Sequence, residues 1–489
     1  MKKNKLINTI INYKPPKIVL LLLVILPALI VFTKKEVLDN DIWFLLNHGK
    51  YVLSHGFPTI EPFSIHEGLS FIIQQWLSAS IFWIAYKFLG DFGLRLILLI
   101  VTLLITYFIY KICMLLSNKK IYVSYFISFI VSMLMLLFLT TRPQIFTFLI
   151  LLIEVYLIEL YIKTKKRKYL YFLPLLSLLE INLHASMWFM QFVFILPFII
   201  DSYKINLGFI SSEGYDRKPL FIIILIMALV GFINPYGVKS ILYIFSSYGI
   251  EEINIFILEM KPLTINGFVG KSYFLVFFAV LFFYIFYDSN KKYKLRYFLF
   301  YCGTLYLALS NVKGVPYFLM MGIIPVSYYI KDSSKESHVK KYPKKFEYIC
   351  LCIVLIIFGA TTVVAYNRTP NMKTLKVKKA TDYILKNYDK NKIKVYADYN
   401  DGGFVEFNGI KSYIDPRAEV FLKKNNKKED IFIEYYNVSN YKLDCLTFLE
   451  KYKFDLLLLE NNSVLHKCAY NKYKQVYRDN YRCVLERIK

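Results

Sequence analysis

The chain has 489 residues, of which 56% are hydrophobic and 18% aromatic, and its formal net charge is +26. A mean hydropathy of +0.42 and repeated long apolar runs argue against an ordinary soluble globular protein and predict a polytopic helical membrane protein. The basic excess does not imply a nucleic-acid partner, because in a membrane protein it reports loop orientation.

Twelve apolar runs follow one another: Lys17–Phe32, Phe71–Leu89, Leu94–Leu116, Tyr122–Leu139, Ile145–Tyr161, Tyr169–Ile181, Trp188–Ile200, Leu220–Ile233, Tyr273–Tyr287, Tyr297–Leu309, Val315–Ile330 and Ile349–Val364. The first follows a basic segment without a clear small-residue cleavage site and reads as a retained anchor. Lys and Arg concentrate in segments 1–17, 111–120, 162–168, 202–218, 289–296 and 331–345. Placing all six in the cytoplasm puts the N-terminus inside and the C-terminus outside. Phe71–Leu89 then re-enters or lies along the interface, leaving eleven spans; if it crosses fully there are twelve.

The first outer loop, 33–70, carries Asp39, Asp41, Glu61 and Glu67 and three of the six histidines, His48, His55 and His66. Carboxylates this close to hydrocarbon are costly unless they face water or a partner, which marks a site. The alternative is that the acids cap a short helix starting near Ile42. The other outer connections hold Arg142-Pro143-Gln144, then Asn182-Leu183-His184, then Asn234-Pro235-Tyr236-Gly237, Glu259 and Lys313. Residues 240–257 read as an amphipathic interfacial helix. Singly, each motif has a plain reading: Arg142 snorkels, His184 satisfies a helix end, Asn-Pro-Tyr-Gly is a turn. Their shared face is the stronger signal.

Past the last apolar run the composition shifts, dividing the chain into a transmembrane domain, 1–366, and a small extracytoplasmic α/β domain, 367–489. Helices are expected at 377–388, 428–436 and 441–452, and strands at Lys394–Asp398, Gly403–Phe407, Lys411–Ile414, Asp455–Leu459 and Gln475–Glu486. Two polar turns follow, Asp398–Gly403 and Asp415–Glu419, neither of them a phosphate loop. Three of the seven cysteines fall here, an odd number that argues against a complete disulfide framework.

These motifs resemble the GT-C fold membrane glycosyltransferases, distantly the protein O-mannosyltransferases and aminoarabinose transferases. They are most similar to a large, mostly uncharacterised bacterial branch of that superfamily. The resemblance is carried by Asp41-Ile42-Trp43, Gly49, Pro58, Glu61-Pro62-Phe63-Ser64, Trp76-Leu77, Arg142-Pro143, Asn182-Leu183-His184, Asn234-Pro235-Tyr236-Gly237, Glu259, Gly402-Gly403 and Asp415-Pro416-Arg417. Departures are Leu45 or Leu46 where the branch has His, Ala185 for Gly and Glu61 for Asp.

The resemblance implies transfer of a sugar from a polyprenyl-phosphate donor at the outer membrane face to an envelope glycan, lipid or protein acceptor. Such transfer needs a base, and Asp41 is the first candidate with Asp39 second. It needs cations for the leaving phosphate, for which Arg142, His184, Arg95 and Lys313 are candidates. Trp43, Glu61, Trp76, Asn182, Asn234, Glu259, Asp415 and Arg417 are the expected substrate contacts. Asp39-Asn40-Asp41 offers hard oxygens for Mg²⁺ or Mn²⁺. The competing functions are a polysaccharide repeat-unit polymerase, a lipid-linked sugar transporter or flippase, and a non-catalytic envelope scaffold.

Overall fold

The computed structural model of the protein describes residues 17–34, 39–246, 251–286, 292–330, 352, 356, 358–367 and 372–488. The basic segments before Lys17 and at 331–345, residues 349–351, 353–355 and 357 of the run Ile349–Val364, and loop residues 35–38 lie outside the described residues.

The protein is mostly helical with small sheets. Among the described residues two helices, Trp76–Leu116 and Gln144–Thr164, are long and apolar enough to cross a membrane; other apolar helices, such as Lys218–Val230, are shorter. Helix Lys17–Thr33 accounts for the first apolar run. The run at Phe71–Leu89 becomes helical only at Trp76, and Gly90 interrupts the 41-residue helix with φ 57° and ψ −145°. Only glycine adopts that backbone readily. At about 1.5 Å per residue the piece before Gly90 is roughly 21 Å long, short of a hydrocarbon layer of about 30 Å.

Of the amphipathic helix expected over 240–257, the described residues are helical at Val238–Ser246 and Glu251–Phe256, and residues 247–250 lie outside the described residues. The C-terminal region builds a four-stranded sheet from Val395–Ala397, Leu456–Glu460, Arg482–Arg487 and Tyr473–Arg478, in that order. The first pair is parallel and the other two are antiparallel. The strand expected at Gly403–Phe407 is instead the end of helix Tyr399–Phe407. Tertiary contact overrides the alternating pattern there: Phe404 and Phe407 pack on Trp43, with ring centroids 4.9 and 5.2 Å away. Gly402 sits against the Ile414 carbonyl, where any Cβ would collide. At Lys411–Ile414 only isolated bridges form, Ser412 pairing with Ser64 and Val395. The single strand expected at Gln475–Glu486 is a hairpin, turned where Asp479 Oδ1 accepts from Tyr481 N at 2.7 Å and Arg482 N at 2.8 Å. The odd cysteine count conceals a disulfide, Cys445–Cys468, which leaves Cys483 buried and unpaired.

The largest departure concerns the first loop. Val52, Leu69, Phe71 and Ile73 share one hydrophobic core with Tyr413, Phe421, Phe432 and Phe448. The loop's helix Ile42–His55 also packs on Trp76–Leu116, with Ile42, Leu45 and Leu46 in one core with Ala79, Phe82 and Leu94, so the segment joins the C-terminal region to the helical part.

Candidate functional site

A cavity of about 1250 Å³ lies at this junction. Arg142 lines it, in the turn before helix Gln144–Thr164, which Pro143 caps. Arg142 Nη2 lies 2.6 Å from Asp39 Oδ2 and 3.1 Å from Asp41 Oδ2. Its Nη1 donates to Glu259 Oε2 at 2.6 Å. Lys313 Nζ stands 3.8 Å from the same Glu259 oxygen. Segments 258–261 and 311–314 are pinned together by Val312 N donating to Lys261 O at 3.1 Å. The sequence-derived candidates Asp39, Asp41, Arg142, Glu259 and Lys313 thus converge from four separate connections.

Asp41 occupies the N-cap position of helix Ile42–His55, but its side chain makes no capping bond. Its carboxylate is committed to Arg142, so capping alone does not explain it. The side chain is 28% exposed, and that exposure opens into the cavity. Burial pushes the Asp41 pKa up to about 6; Arg142 opposes the shift, while Asp39 and Glu259 add to it. Burial works against the Arg142 charge, yet Asp41, Asp39 and Glu259 outweigh it and hold that charge firmly. A carboxylate poised near neutrality beside fixed cations can take up a proton within the working pH range.

His184 lines the same cavity, as do Gln74, Gln75 and Tyr317. It follows helix Leu173–Leu183, and its Nδ1 lies 2.8 Å from Thr147 Oγ1. Burial and then Lys313 lower its pKa to about 3, so the ring is neutral.

Glu61, Asp415 and Arg417, expected as substrate contacts, form a closed cluster instead. Arg417 Nη2 donates to Glu61 Oε1 at 2.9 Å and to Glu406 Oε2 at 3.2 Å. Its Nε donates to Asp415 Oδ2 at 2.7 Å, and its Nη1 faces His48 Nε2 at 3.2 Å. Phe63 and Phe71 each hold the guanidinium 5.3 Å from their ring centroids. Glu61 also accepts from Ser64 N at 2.9 Å and Ser64 Oγ at 2.7 Å. These four charged side chains are 0–1% exposed. Arg417 touches the cavity wall, but every guanidinium nitrogen is engaged, so the cluster ties the loop to the C-terminal region.

Other expected residues are structural in this arrangement. Arg95 Nη1 donates to Phe32 O at 3.1 Å and Lys34 O at 2.7 Å, closing the end of the first helix. Trp43 is buried among Tyr86, Phe404 and Phe407. Trp76, Asn182 and Asn234 line a separate apolar groove of about 500 Å³ with Leu178 and Pro235. There Trp76 Nε1 donates to Asn182 Oδ1 at 2.8 Å, and Asn234 Oδ1 accepts from Tyr236 N at 2.9 Å within its turn.

The cavity's far wall brings in residues that the sequence reading passed over: Lys376, Asp401, Glu460 and Arg482. Arg482 pairs with Asp401 at 2.5 Å and Glu460 at 3.0 Å. Asp401 lies in a stretch read as a Gly-rich turn, and nothing local in the sequence marks Arg482. Asp39 and Asp41 bracket a guanidinium, a donor set that suits an ion pair better than Mg²⁺ or Mn²⁺. Among the described residues no group of three or more His, Cys, Asp or Glu has the arrangement of a metal site.

No family model matches the chain, and no curated protein matches it.

Proposed function

We propose that the protein is a polytopic membrane glycosyltransferase of the GT-C type, acting on a polyprenyl-phosphate-linked sugar at the outer face. The observation that carries this reading is the convergence of Asp41, Arg142, Lys313 and His184 on one cavity, a carboxylate with a pKa near 6 beside two cations and an imidazole. In the reaction the acceptor hydroxyl oxygen bonds to the anomeric carbon. The bond from that carbon to the phosphate oxygen breaks, and its electron pair leaves with the phosphate. Asp41 takes the hydroxyl proton. Arg142 has its fork filled by carboxylates, so it fixes Asp41, while the more loosely held Lys313 and the neutral His184 meet the phosphate.

Two span-length helices support a membrane location, as do exposed apolar side chains such as Leu225 at 62% and Leu275 at 70%. The Cys445–Cys468 disulfide supports an extracytoplasmic C-terminal domain, since such bonds persist in oxidising compartments. The short helix before Gly90 supports a re-entrant or interfacial Phe71–Leu89.

One observation favours a transporter: Glu154, Glu180 and Gln191 are fully buried within helices, as in ion pathways. Purified protein in liposomes, given labelled polyprenyl-phosphate sugar and an acceptor extract, separates the readings. Label transferred to acceptor is the expected result. Label that crosses the bilayer without transfer favours the transporter, and neither outcome favours the scaffold.

A further inference from the structure

Behind His184 lie two buried groups that the chemistry above does not use, Thr147 and Glu180. We propose that Glu180, acting through Thr147, fixes the His184 tautomer so that Nε2–H faces the cavity as a donor to a phosphate oxygen. The inference rests on the transferase reading only for the source of that phosphate, the polyprenyl-phosphate donor.

The three groups are in line. Thr147 Oγ1 lies 2.6 Å from Glu180 Oε1 and 2.8 Å from His184 Nδ1. Thr147 and Glu180 are 0% exposed. The other Glu180 oxygen has no hydrogen-bond partner, and among the described residues no cation pairs with this carboxyl. An ionised carboxylate in that position bears a desolvation cost that nothing offsets, so Glu180 keeps its proton.

The direction of each bond follows by counting protons. A proton on Glu180 Oε2 would be a buried donor with no acceptor, whereas Oε1 has Thr147 Oγ1 beside it, so the proton sits on Oε1 and donates to Thr147 Oγ1. A hydroxyl has one proton to give, and Thr147 gives it to His184 Nδ1. Nδ1 is therefore an acceptor, and the single proton of the neutral ring sits on Nε2. The backbone holds the ring in place: His184 N donates to Glu180 O at 2.8 Å, and Ala185 N to Gln74 O at 3.2 Å. An ionised Glu180 would reverse the chain. Thr147 would donate to Glu180, His184 Nδ1–H would donate to Thr147, and Nε2 would show a lone pair that repels phosphate. One buried proton thus decides whether the cavity meets a donor or an acceptor.

The experiment pairs a spectroscopic readout with binding. ¹⁵N NMR of histidine-labelled protein should show the Nε2–H tautomer at His184. Glu180→Gln should retain it, because a Gln amide also donates to Thr147. Thr147→Val should mix the tautomers and weaken binding of a short-chain polyprenyl phosphate roughly tenfold, the loss of one charge-assisted hydrogen bond. Inorganic phosphate is titrated alongside. If it alone binds with the same Thr147 dependence, the tautomer inference stands and the transferase reading falls. An Nδ1–H tautomer in the native protein overturns the inference. So does loss of binding in Glu180→Gln as complete as in Thr147→Val, or binding of neither phosphate. Sugar transfer left intact by Thr147→Val overturns it too, while sparing the transferase reading.

Discussion

Arg142 and Arg417 have nearly the same partners and opposite fates. Each faces three carboxylates: Asp39, Asp41 and Glu259 around the first, Glu61, Glu406 and Asp415 around the second. Around Arg142 the side chains are 20–40% exposed and meet a cavity; around Arg417 they are 0–1% exposed and are enclosed by one another, His48, Ser64, Ser412, Phe63 and Phe71. In the closed cluster, burial and then Asp415 push Glu406 well above the ordinary carboxylate range. Burial also opposes the Asp415 charge, but Arg417 outweighs it and draws that pKa below its usual value. The closed set is thus a settled charge arrangement that holds two parts of the chain together. The open set keeps groups that can exchange partners and protons, so a similar composition fastens the chain in one place and lines a cavity in the other.

Removing the arginine from each cluster tests this contrast most severely. Arg417→Met should cost about 3–5 kcal/mol of stability, because it strands buried carboxylates without their counter-ion. Thermal unfolding in detergent, or protease cleavage within residues 56–75, measures it. Arg142→Lys should leave both measurements near native and lower turnover. Equal destabilisation by the two changes would erase the distinction.

The next effect is catalytic. Asp41→Asn should lower sugar transfer by about 10²–10⁴-fold while the protein folds and expresses normally. Asp39→Asn should lower it less, since Asp41 still faces Arg142. If Asp41→Asn transfers at near-native rate, Glu259, which shares Arg142 and Lys313, becomes the base to test.

A pH profile sharpens the same point. With Asp41 at about 6, turnover should fall as pH drops below that value, and Asp41→Asn should remove this limb. Stability should move the other way. A carboxyl whose pKa is raised on folding contributes stability that is full below its unfolded value of 3.8 and lost as pH rises through about 6. The smallest effect belongs to Lys313. Its 3.8 Å, partly exposed contact with Glu259 is worth about 0–1 kcal/mol, so Lys313→Ala should scarcely alter unfolding while weakening polyprenyl-phosphate binding.

The open cluster was legible in the sequence because its members stand out: acids, an arginine and a lysine on turns between apolar helices. The closed one was legible only in part: Glu61, Asp415 and Arg417 stood out as motif residues, but Glu61 and Arg417 are 356 residues apart and nothing local shows that they pair. Glu180 carried an overlooked signal, a lone acid within an apolar run four residues before His184. Helix Tyr399–Phe407 was hidden by its glycines and its Phe-Val-Glu-Phe alternation, and it forms because Trp43 packs on it. The hairpin ending at Arg487 was signalled by Asp479-Asn480, a turn pair that the strand pattern overrode.

The shared core of the first loop and the C-terminal region also sets a timetable for biosynthesis. Glu61 leaves the ribosome 356 residues before Arg417, so at about 5–20 residues per second it waits on the order of 20–70 s for its partner. During that interval Phe63, Phe71 and Ile73 have no core to enter. The loop must stay soluble beside helices already made, and its polar flanks, Glu61, Ser64, His66 and Glu67, suit that wait. Closure comes last, when the hairpin strand Arg482–Arg487 completes the sheet. A chain lacking that strand would carry Asp41 and Arg142 yet lack Arg482, part of the wall of the cavity, so the cavity is complete only once the sheet is.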